Sequence, residues 1–81
     1  MIIKVTQEDI DAGQAWNCYK CPIALATRRA FTDRGIEVGT TCIWINDIEA
    51  YKTPAIAKEF IIQFDRSLHV SPIEFELTDR Y

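Results

Sequence analysis

Two thiols three residues apart, in Cys18-Tyr19-Lys20-Cys21-Pro22, stand directly before a proline of the kind that opens helices. A helix start favours thiolate through its dipole, so a redox-active pair is one chemistry this spacing could carry. Joined by Cys42 and His69, the pair makes up a Cys3His set, which suits structural zinc. The spacing beyond the first pair fits zinc poorly, because Cys42 falls in a strand-like segment and His69 in a loop. A lone second-half cysteine is more commonly a small buried residue. Nucleophilic catalysis would require one of the three cysteines beside the single histidine, and no nucleophile motif surrounds any of them. Glu74 and Glu76 share one strand face, where solvation accounts for them. A non-enzymatic protein without a cofactor is therefore the expectation.

Recognition is a further chemistry. Trp16, Asn17, Tyr19 and Lys20 occupy the loop before Pro22, and Arg28 and Arg29 follow one to two helical turns later. Lys20, Arg28, Arg29 and Arg34 against Asp33 give residues 20–34 a charge of +3 inside a chain of net charge −3. A helix start offers unpaired N–H groups to phosphate or carboxylate, aromatic rings stack on bases, and amide and lysine groups reach polar edges. These residues predict a site for a small anionic or nucleotide ligand, held by sequestration. In the blander alternative, Trp16 and Tyr19 cover the edge of the core and the arginines form a solvated face. A further alternative is a protein-interaction inhibitor anchored by Trp16, Tyr19 and Trp44.

These groups must be positioned by few elements, because 81 residues build one core in one domain, residues 1–81. An apolar fraction of 48% with 26% charged residues excludes disorder. A core this small supplies only about 3–5 kcal/mol, so a homo-oligomer is expected. The acidic balance argues against a binder of long nucleic acid. Residues 1–5 carry Lys4 but neither a long apolar run nor a cleavage site, and no segment is long and apolar enough for a membrane span. The expected location is the cytoplasm.

Ile2-Ile3-Lys4-Val5 reads as a strand, with Thr6 as N-cap, Asp9 at the third helical position, and a short helix over residues 7–12 stopped by a left-handed Gly13. From Pro22, a 100° projection of residues 23–34 puts Ile23, Ala24, Ala26, Ala30 and Phe31 on one arc, with Arg28, Arg29, Thr32, Asp33 and Leu25 opposite, and Gly35 as the stop. Residues 36–46 are strand-like with a change of phase, so Gly39 marks a bulge or bend. Asn46-Asp47 signals a turn into a short strand over residues 48–51. Thr53-Pro54 repeats the cap-then-proline start, ahead of a stripe of Ile56, Ala57, Phe60, Ile61 and Phe64. Ile73, Phe75 and Leu77 then alternate with Glu74 and Glu76 as a half-buried strand. The expected fold is α+β, order β-α-α-β-β-α-β, with an antiparallel or mixed sheet of three or four strands against two helices.

The run Val5-Thr6-Gln7-Glu8-Asp9-Ile10-Asp11, the run Cys21-Pro22-Ile23-Ala24-Leu25-Ala26 and the ending Val70-Ser71-Pro72-Ile73-Glu74-Phe75-Glu76-Leu77 resemble a set of short uncharacterised proteins of phages and prophage regions. The resemblance spans most of the chain and assigns no role to any residue. It implies an accessory factor that binds or blocks a host component, in the manner of small anti-defence proteins that sequester nucleotide signals as homo-oligomers.

Overall fold

A computed structural model describes residues 1–32 and 34–81. The placement of Asp33 on the polar helix face lies outside them. The chain runs β1 (Ile2–Val5), α1 (Gln7–Ala12), α2 (Pro22–Ala30), β2 (Ile36–Val38), β3 (Cys42–Ile45), β4 (Glu49–Lys52), α3 (Ala55–Asp65) and β5 (Ile73–Glu76). This is the expected α+β order, with the 36–46 segment folded back on itself as two strands. The strands form two antiparallel sheets, β1-β5 and β2-β3-β4. α2 packs against both β1 and β2 and so spans the two sheets. Among the described residues, no helix is long and apolar enough to cross a membrane.

Alternation explains the outer sheet. Ile3 and Val5 of β1, and Phe75 and Leu77 at β5, are buried, while Lys4 and Glu74 face each other across the exposed side. A two-stranded sheet is marginal alone, so its inner face needs a cover. α2 supplies it through Ile23, Ala24 and Ala26, which join Ile36, Val38, Ile43, Ile45, Ala57, Phe60 and Ile61 in one apolar cluster. The buried Thr27 hydroxyl donates to the Ile23 carbonyl at 2.7 Å and is satisfied within its own helix.

The start of α1 follows local chemistry. Thr6 is the N-cap, its Oγ1 accepting from the Asp9 N–H at 3.2 Å while the Thr6 N–H donates to Asp9 Oδ2 at 2.9 Å. Gly13 departs from expectation: its φ is −71°, in the extended region and not left-handed. The glycine is required for space, since a Cβ there would lie 2.6 Å from Cδ and Cγ of Pro22.

Tertiary demands also displace two helix boundaries. α2 stops at Ala30, with Thr32 at φ 58° and no role for Gly35 as the stop. Gly35 is instead tied to the β3-β4 turn, its N–H donating to Asn46 Oδ1 at 2.8 Å and its carbonyl accepting from the Asn46 N–H at 2.7 Å. The chain must leave the helix early to reach that turn. Gly39 sits in the β2-β3 turn, its N–H donating to the Cys42 carbonyl at 2.9 Å. Thr53 does not cap α3, because its hydroxyl donates to the Gly39 carbonyl at 2.7 Å and Pro54 holds the cap position without a side-chain bond. On α3 itself Ile56 is exposed, so the buried stripe narrows to Ala57, Phe60 and Ile61, with Phe64 half-buried. Asn46-Asp47 forms the expected turn, with both residues at positive φ.

Arg29 joins three elements. Its guanidinium grips Asp9 in two bonds, Nη1 to Oδ1 at 3.0 Å and Nη2 to Oδ2 at 2.8 Å, and Nη2 also donates to the Lys4 carbonyl at 2.9 Å. Burial alone would push the Asp9 carboxyl up, but the bonds from Arg29 and the Thr6 N–H outweigh it and hold the group below its ordinary value. Arg29 is raised in turn, chiefly by its bond to Asp9.

Two expectations follow for stability. Because Asp9 is depressed in the folded chain, its contribution is complete above the ordinary carboxylate range and is lost as pH falls through the lower folded value. Asp9→Asn should destabilise by about 2 kcal/mol at neutral pH in urea titration and flatten the acid limb of the stability profile. Gly13→Ala should cost about 1–3 kcal/mol, because Pro22 is fixed in α2 and cannot retreat.

Candidate functional site

The loop of residues 14–21 is built as a frame of hydrogen bonds around Asn17. Its Oδ1 accepts from the N–H groups of Tyr19 and Lys20, each at 3.0 Å, and its Nδ2 donates to Gln14 Oε1 at 3.2 Å. The Asn17 carbonyl accepts from Lys20 N–H at 3.3 Å and Cys21 N–H at 2.9 Å, and Gln14 N–H donates to the Lys20 carbonyl at 2.9 Å. Two bonds moor the frame to β2 and α2: Val38 N–H donates to the Cys18 carbonyl at 2.8 Å, and Arg28 Nη2 donates to the Tyr19 carbonyl at 2.7 Å.

Trp16 stands at the edge of this frame in the left-handed region, φ 59°. Its N–H donates to Oδ1 of Asp65, the last residue of α3, at 2.9 Å. The indole is not used to cover the core. Trp16 is 79% exposed and Tyr19 56%. Beside Trp16 lies an open cleft of about 230 Å³, walled by Asn17, Cys18, Cys21, Thr40, Ile61 and Asp65. Ile61, Thr40 and Asp65 carry no signal in the sequence as site residues, since each arrives from a distant element.

The six residues expected to share one site are divided among several places. Trp16 and Asn17 line the first cleft. Tyr19 and Arg28 line a second, of about 180 Å³, together with Glu37, Asn46 and Asp47. Glu37, then Cys18, pushes the Tyr19 phenol above its ordinary value. Lys20 is exposed outside both clefts, and Arg29 is committed to Asp9. Arg34 lies 3.8 Å from Glu49. The cations that cluster along the sequence are thus dispersed in space, and two of the four, Arg29 and Arg34, face acids.

The helix start that would have presented N–H groups to an anion is closed. Cys21, Pro22, Ile23 and Ala24 are all buried, and Cys21 Sγ accepts from the Ala24 N–H at 3.4 Å as the cap. Burial pushes the Cys21 thiol up, against the lowering expected of a cysteine at a helix start. Cys18, Cys21, Cys42 and His69 do not assemble: among the described residues no three His, Cys, Asp or Glu side chains are placed to hold a metal. The reason lies in α3. Ile61 and Asp65 border the cleft of Cys18 and Cys21, whereas Glu59 and Gln63, on the opposite helical face, border the hollow that contains His69. Trp44 is half-buried on β3, paired with Glu37 and Ala50, and does not join Trp16.

No family model, curated protein or solved structure matches the chain.

Asp65→Ala should uncouple the loop from α3. The Trp16 amide is expected to lose its protection in hydrogen exchange, with global stability reduced by only about 1 kcal/mol. Unchanged protection would show that the mooring lies elsewhere.

Proposed function

We propose that the chain is a non-enzymatic protein-docking module whose anchor is Trp16, with Tyr19, exposed on the same loop, as a second contact. One observation carries this reading: a large aromatic side chain is left exposed on backbone at positive φ whose N–H is bonded to Asp65. A non-glycine residue at positive φ costs about 1–2 kcal/mol, and such strain persists where the surrounding structure imposes it. An exposed tryptophan on ordered backbone can enter a partner's pocket with little backbone ordering cost, and tryptophan and tyrosine are enriched among the strong contacts of protein interfaces. The resemblance to phage proteins makes a host protein the expected partner, with inhibition by occupancy as the mechanism.

A small anion is the weaker occupant. Asp65 borders the Trp16 cleft, and Glu37 and Asp47 sit beside Arg28 in the other. An anionic ligand would meet these carboxylates, and the helix start offers it no open donors.

Trp16→Gly tests the reading, since glycine keeps the loop backbone and removes the ring. Stability measured by thermal melting should stay within about 1 kcal/mol of the parent, because relief of strain offsets the greater freedom of the unfolded chain. Affinity for the partner, isolated by cross-linking in host extract and measured with purified protein, should fall about 30-fold or more. Calorimetry with a nucleotide panel is the counter-test. Micromolar nucleotide binding that survives Trp16→Gly would contradict the proposal.

A further inference from the structure

Cys18 and Cys21 line the same cleft, and docking through the indole uses neither thiol. They lie three residues apart in the turn that the Asn17 carbonyl closes with Lys20 N–H and Cys21 N–H. Cys18 lies inside this turn and Cys21 at its close, on one short stretch of bonded backbone, and a disulfide needs their Cα atoms about 4.4–6.8 Å apart. Burial first, and to a smaller extent a charge on Cys18, opposes ionisation of Cys21. Their surroundings differ in a useful sense: Cys18 is partly exposed in the cleft, and Cys21 is 6% exposed behind it. Cys42, on β3, does not line this cleft.

We propose that Cys18 and Cys21 form a reversible intramolecular disulfide by exchange with a small-molecule disulfide, with Cys18 attacking and Cys21 resolving. Cys18 loses its proton to water, and its thiolate attacks one sulfur of the reagent R–S–S–R. The Cys18–S–R bond forms as the reagent's S–S bond breaks, and the departing R–S⁻ takes up a proton. Cys21 then loses its proton and attacks Sγ of Cys18, forming the Cys18–Cys21 bond and expelling the second R–S⁻, which is protonated in turn. Two protein thiols are oxidised and one reagent disulfide is reduced to two thiols. The ring encloses Tyr19 and Lys20, and it draws on the sulfur that accepts from the Ala24 N–H. Oxidation therefore reaches both an exposed aromatic residue and the start of α2.

The test is exposure of the reduced full chain to oxidised glutathione, followed by intact mass and peptide mapping. The expected product is lighter by about 2 Da, with Cys18 and Cys21 cross-linked and Cys42 still open to alkylation. Cys21→Ser should accumulate the glutathione adduct on Cys18, and Cys18→Ser should acquire adduct on Cys21 about 10-fold more slowly. If Cys21→Ser fails to fold, alkylation of the reduced parent replaces it, with Cys18 expected to react about 10-fold faster than Cys21. A lasting adduct on Cys18 of the parent, a cross-link through Cys42, or equal reactivity of the two thiols would overturn the proposal. The readout is thiol chemistry without a partner, so it stands or falls separately from docking through Trp16.

Discussion

The fold depends on the seating of α2 across two separate sheets. Neither the β1-β5 pair nor the β2-β3-β4 meander has an inner face that can close on itself, and both lie against the apolar side of this one helix. Small residues at Ala24 and Ala26 permit close approach, and Pro22 is pressed against Gly13 with no room for a Cβ. Arg29 then ties the last turn of α2 to the first turn of α1 and to the β1 backbone. Because the beginning of α2 is sealed in the core, the loop that leads into it must satisfy its own polar groups. Asn17 does so, and the frame it builds leaves Trp16 outside.

That sequence of constraints changes the meaning of the basic segment. Charge clustered between residues 20 and 34 suggests a shared anion site when read along the chain. Consecutive helical residues point about 100° apart, however, so Arg28 and Arg29 meet different neighbours. Arg28 braces the Tyr19 carbonyl and Arg29 grips Asp9. Two of the scarce cations serve the scaffold.

Much of the architecture was legible because it is governed by local rules. The capping pair Thr6 and Asp9, the Asn46-Asp47 turn and the alternation of Ile73, Phe75 and Leu77 each act within a few residues. The misread positions are those where distant groups decide. Gly13 answers to Pro22, Thr53 to Gly39, and Gly35 to Asn46, none of which local spacing reveals. The site was legible in part: the loop containing Trp16 and Tyr19 stood out by residue type, but its exposure did not. Residue type cannot separate an indole that covers a core from one held in water, since the difference rests on Asp65, 49 positions away.

Trp16 can act as a preorganised anchor only if the loop is ordered in the free protein while its indole is solvated, and backbone ¹⁵N relaxation reports that order. Order parameters for the Trp16 and Asn17 amides are expected near those of α2, about 0.85. Values below about 0.6 at these two residues, with α2 ordered, would contradict that role, because a loop that moves freely cannot present a preorganised anchor.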